Sequence, residues 1–128
     1  MAERNVFGDP LEPCSTDPMT GFERDGRCGC HERDPGRHEL CGVVTEAFLA
    51  FGTDRGNDLA TARPELNFPG LDPGDRWCLC VQRWVEALEA VENGQTPAST
   101  VPPGVLAATN GAVLGTVSIE TLRRHAHE

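Results

Sequence analysis

Six cysteines and four histidines carry most of the chemical potential of this 128-residue sequence. Four of the cysteines form two close pairs, Cys28-Gly29-Cys30 and Cys78-Leu79-Cys80, with Cys14 and Cys41 standing apart. Residues two apart on an extended segment project to the same face, so either pair could offer two sulfurs to one ion. Thiolates hold zinc tetrahedrally, and a closed four-ligand site can organise loops that have no core of their own. Candidate ligands are Cys14, Cys28, Cys30, Cys41, Cys78 and Cys80, with His31 and His38 as nitrogen donors. Zinc is the cofactor this set suggests, although the common zinc-knuckle spacing is Cys-x-x-Cys rather than Cys-x-Cys. The competing reading is that reduced cysteines simply fill the core, where that residue type is often found.

Nucleophilic chemistry is a third use for a thiol. It needs a lowered thiol pKa and a nearby base or helix N-terminus. Cys78 would meet the second condition if a helix began near Arg76, and His31 or His38 could supply the base. His125 and His127 read as solvent-exposed at the end of a last helix. Asp17, Asp25, Asp34, Asp58, Asp72 and Asp75 each lie beside or close to Gly or Pro. Turn formation, in which the carboxylate bonds local backbone N–H groups, explains them better than paired-carboxylate catalysis. Arg24, Arg27 and Arg76 beside them suggest structural ion pairs. The sequence has no phosphate-cradling glycine loop, no His-Glu-x-x-His and no nucleophile elbow.

The elements that must position these groups are short. The 14 glycines and 10 prolines imply many turns, and 38% apolar residues suffice for one economical core. Residues 1–40 read as an irregular Cys/Gly/Pro-rich segment, and four cysteines lie in it or just after it. A structureless stretch of that length inside a domain is usually functional, stapled or disordered. Regular structure is expected over 41–128. Cys41–Val44 reads as a short buried strand. Thr45 then caps a helix over 46–51, to be ended by Gly52 or Gly56. Residues 56–75 look loop-like. Apolar side chains at Trp77, Val81, Trp84, Val85, Leu88 and Val91 predict an amphipathic helix, secure over 81–92, while 76–80 could be its first turn or a strand feeding it. Asn110-Gly111 between two apolar runs predicts a β-hairpin over 105–117. Ser118 then caps a last helix, with Val117 and Leu122 as a hydrophobic staple. The expected fold class is α+β, in a single domain.

Net charge is -9, and all eleven basic residues are arginine. Such an acidic surface repels phosphate backbones and anionic lipid, which argues against nucleic-acid and membrane partners. The absence of Lys and Tyr, and the single isoleucine, Ile119, fit a GC-rich bacterial genome or adaptation to salt. No leading apolar stretch and no bilayer-length run is present, so a cytoplasmic, reducing location is expected, with thiols or metal ligands rather than disulfides.

Several runs together resemble the uncharacterised family catalogued as domain of unknown function 2237. They are Asn5–Gly8, Cys14–Phe22, Arg24–Gly26, His38–Cys41, Gly56–Leu59 and Phe68–Leu71. The most specific is Pro73–Cys80 with Arg83-Trp84. The resemblance implies no activity. Its pattern includes the positions of Cys14, Cys28, Cys41, Cys78, Cys80 and His38, whereas Cys30 and His31 are peculiar to this sequence. A metal set implied by the resemblance is therefore drawn from Cys14, Cys28, His38, Cys41, Cys78 and Cys80.

Three function classes follow. The first is a metal-binding or thiol-bearing module whose cysteines organise the N-terminal loops. The second is a small cysteine- or metal-dependent enzyme with its site between those loops and the Trp77 helix. The third is an interaction or assembly module, including a homo-oligomer, with purely structural cysteines.

Overall fold

A computed structural model describes residues 3–22, 24–34, 37–66 and 68–127. The fold is α+β. Strand β1 (Leu40–Val43) leads into helix α1 (Glu46–Asp54), and strand β2 (Arg76–Leu79) leads into helix α2 (Val81–Glu92). Helix α3 (Ile119–Arg124) closes the chain, and short 3-10 turns cover Pro64–Leu66, Ala98–Thr100, Leu106–Ala108 and Gly111–Gly115.

The two strands are antiparallel, with Leu40 opposite Leu79, Cys41 opposite Cys78, Gly42 opposite Trp77 and Val43 opposite Arg76. The other edge of β1 is also covered. Val43 N–H bonds the Pro103 carbonyl at 2.9 Å, and Val105 N–H bonds the Cys41 carbonyl at 2.8 Å. Glycine at position 42 is what lets this third segment close in, because a Cβ there would lie 2.6 Å from Leu79 Cδ1 and 3.2 Å from Pro102 Cβ.

Local sequence explains the helix starts. Thr45 Oγ1 accepts from the Phe48 N–H at 3.0 Å, and Ser118 Oγ accepts from the Thr121 N–H at 3.2 Å. Helix α1 runs past Gly52 to Asp54, with Gly56 at φ +82° just beyond its end. Residues 76–80 prove to be the strand-then-helix alternative, since Asp72–Asp75 form a turn and Cys80 is the residue preceding α2. Trp77 therefore lies on β2, while Val81, Trp84, Ala87 and Ala90 form the buried stripe of α2. Trp84 is fully buried and donates Nε1–H to the Pro102 carbonyl at 2.9 Å. The main core joins Leu40, Leu79, Phe48, Trp84, Val113 and Leu122 with their neighbours.

The expected hairpin at Asn110-Gly111 does not form. The turn it required needs positive φ at both residues, and Asn110 adopts φ -63°. Tertiary bonds claim the dipeptide instead. Asn110 donates its backbone N–H to Glu39 and its side-chain amide to the Cys28 carbonyl and the Glu3 carboxylate, while Gly111 N–H bonds Arg4. Asn110 Oδ1 accepts from the Ala112 N–H, so it starts a 3-10 turn rather than a β-turn.

Among the described residues before β1 there is no helix and no extended strand, as expected. The segment is nevertheless ordered by backbone bonds, including Cys14 N–H to Gly26 and Gly26 N–H to Thr20. Gly21, at φ +101°, passes so close to the Arg27 carbonyl that a Cβ would collide with it. Among the described residues no helix is long and apolar enough to cross a membrane.

Candidate functional site

Four cysteines converge beneath the sheet. Cys14 is bonded to Cys41 with their Cα atoms 5.7 Å apart, and Cys28 to Cys78 at 5.3 Å. All four are buried and share a small apolar cluster with Ala108. Each bond joins a loop cysteine to a strand cysteine. Because Cys41 and Cys78 face each other across β1 and β2, the two bonds lie side by side, and the sulfurs of Cys14, Cys28 and Cys78 fall within 4.8 Å of one another. The strand cysteines are fixed by buried threonines, with Cys41 N–H donating to Thr109 Oγ1 at 3.1 Å and Cys78 N–H to Thr20 Oγ1 at 2.9 Å.

This corrects the expectation of thiols at four positions. The expectation came from the presumed compartment, whereas bonding depends on which sulfurs the fold brings together. It also separates the two Cys-x-Cys pairs. Cys28 is buried and bonded while Cys30 is an exposed free thiol, and Cys78 is bonded while Cys80 is a half-buried free thiol at the start of α2. Of the ligand set suggested by the sequence, Cys14, Cys28, Cys41 and Cys78 are brought together. Cys80 and His38 stand outside that group. A disulfide sulfur is not a thiolate, so these four can hold zinc only after both bonds are reduced.

Next to the sulfurs lies a cleft of about 700 Å³. One wall comes from the N-terminal loops, through Gly21, Phe22 and Arg24. The other comes from the loop after α1, through Asn57, Asp58, Leu59 and Arg63, and Trp77 and Cys78 lie between them with Phe68. Phe68 packs edge-on against Trp77 with ring centroids 5.1 Å apart, and the Arg24 guanidinium sits over the Trp77 ring at 5.2 Å.

His38 also lines the cleft, positioned by a carboxylate. Asp34, itself 5% exposed, takes the His38 backbone N–H on Oδ2 at 2.8 Å and meets Nδ1 with Oδ1 at 2.7 Å. An imidazole bonded through Nδ1 to a carboxylate has a fixed ring orientation, with Nε2 left for a substrate, proton or ion. Cys78 shares the cleft with His38 but is disulfide-bonded, so a Cys78 thiolate is not available for the Cys–His reading in this state. His31 packs against Phe22 at 4.8 Å, outside that cleft lining.

Several acidic residues behave as turn formers. Asp25 accepts from the Arg27 N–H, Asp58 from those of Ala60 and Thr61, and Asp75 from that of Asp72. Bonds from Thr61, then Ala60, with the charge of Arg63, hold the Asp58 carboxyl below its usual range. Asp34 is both turn former and site residue, a double role hidden by the Pro35-Gly36 turn signal between it and His38. Thr20, Thr109 and Arg63 carried no sequence signal for a site. The exposed Cys30 thiol is pushed up, first by its hydrogen bond to Glu39 and then by burial and the nearby negative charges. His125 is half-buried against Trp84 rather than free in solvent.

No curated protein matches the chain. A family model, described as an uncharacterized protein conserved in bacteria (DUF2237), matches residues 4–126. That span includes the four bonded cysteines, the Asp34–His38 pair and the whole cleft, and the chain belongs to this family.

Proposed function

We propose that the protein is a thiol-bearing binding module in which the cysteines staple the N-terminal loops to the sheet, where the loops form one wall of a ligand cleft. The observation that carries this reading is the position of Cys78, which is bonded to Cys28 of the loops and also lines the cleft. Function then resides in the cleft, and the sulfurs keep its shape. Thiol titration of the native protein tests this. Two reactive thiols, Cys30 and Cys80, with loss of amide protection over 14–28 after reduction, are expected. Six thiols without added reductant, alongside fully protected loops, would remove the staples and the reading with them.

The convergence of the sulfurs favours a second reading. Reduced, Cys14, Cys28, Cys41 and Cys78 form a four-thiolate set of the composition that structural zinc prefers. In a reducing, cytoplasmic setting the zinc form would be the resting one. Elemental analysis of protein reduced without chelator should then find about one zinc per chain, lost on Cys41→Ser. Retention of zinc by that variant would sink this reading.

A further inference from the structure

We propose that the cleft binds a small organic anion with a flat apolar body, an aryl carboxylate, through Arg63 and Arg24 at its charged end and Phe22, with the edges of Trp77 and Phe68, at its apolar end. This deepens the binding-module reading and rests on its cleft. The chain carries a net charge of -9, yet the cleft lining sets two arginines against one carboxylate, Asp58, with His38 already paired to Asp34. Asp58 is engaged with two backbone N–H groups of its own turn. Arg63 is exposed, and among the described residues it makes no ion pair within 4.0 Å. A guanidinium fork matches a carboxylate in both charge and geometry.

The apolar end is built as firmly. Phe22, 39% exposed, offers the open apolar surface of the cleft, while the buried Trp77 and Phe68 hold each other edge to face and present only their edges to it. Arg24 covers the face of the Trp77 ring and so sets a cation into the cleft lining near Phe22. The volume of about 700 Å³ suits a small molecule. The acidic exterior disfavours a long polyanion, which would have to lie across it, but does not exclude a small anion.

Calorimetric titration with benzoate, benzyl alcohol and acetate tests the assignment, with thiols counted on the same sample. Benzoate is expected to bind about tenfold more tightly than benzyl alcohol, which keeps the ring, and than acetate, which keeps the charge. Arg63→Ala should weaken benzoate about tenfold, and Asp58→Asn should tighten it about twofold. The opposite signs separate charge recognition from damage to the fold. Benzyl alcohol binding as well as benzoate, no benzoate binding at millimolar concentration, or an affinity untouched by both substitutions would overturn the proposal. Failure with two native thiols removes the anion assignment alone, whereas six native thiols remove the stapled-module reading.

Discussion

The residues before β1 and those after it are held by different forces. Among the described residues, Val6 is the sole buried contribution to the main apolar core from before residue 40, while both strands, α1, α2 and α3 all contribute. The loops are attached through two disulfides, backbone bonds and the Glu3–Asn110 contact. A segment so rich in turns cannot bury enough apolar area to offset its ordering entropy, so covalent links replace packing. The cleft lies where the two regions meet, one wall from each.

The largest expected effects separate the regions directly. Trp84→Ala should cost about 3–5 kcal/mol by emptying the core, and unfolding followed by fluorescence and by circular dichroism should remain one transition. Cys28→Ser should cost about 2–5 kcal/mol, yet amide exchange should show protection lost over the loops while α2 keeps its own. If α2 opened first in that variant, the two regions would be one cooperative unit and the contrast would fail.

Smaller changes sharpen the contrast. Thr20→Val leaves the buried Cys78 N–H without its acceptor and should lower stability by about 1–3 kcal/mol, read as a shifted denaturant midpoint. Cys30 should alkylate more slowly near neutral pH than its exposure suggests, because its raised pKa leaves little thiolate. The rate should climb at a more alkaline pH than for an ordinary thiol. The smallest effect concerns His125, whose pKa is lowered by burial and then by Arg124. The unfolded chain binds the proton more readily, so this contribution to stability is full above the ordinary value of 6.5. It declines as pH falls from there through the lower folded value. His125→Gln should flatten that acid-side slope in a series of thermal melts.

Local chemistry was legible in the sequence wherever a feature is decided within a few residues. The caps at Thr45 and Ser118, the span of α2 and the turn role of Asp58 all depend on neighbours close in the chain, and each was readable. The buried stripe of α2, by contrast, shares only Val81 and Trp84 with the expected one and runs through Ala87 and Ala90 instead of Val85, Leu88 and Val91. Asn110-Gly111 misled because its local preference for a tight turn was outweighed by bonds to Arg4, Cys28 and Glu39, none of which is near it in sequence. The irregular character of residues 1–40 was also readable, since turn formers without apolar period cannot do otherwise.

The sequence by itself determined the α+β class, the family membership and which residue types the site could use. Tertiary structure alone decided which sulfurs meet, because the β1–β2 register sets Cys41 against Cys78 and the folded loops bring Cys14 and Cys28 to them across separations of 27 and 50 residues. It also decided that Asp34 turns inward to hold His38 and that Arg63 shares a cleft with Trp77. Contacts between distant residues depend on chain reversal and core packing, and nothing in a local pattern of residue types records where those reversals end.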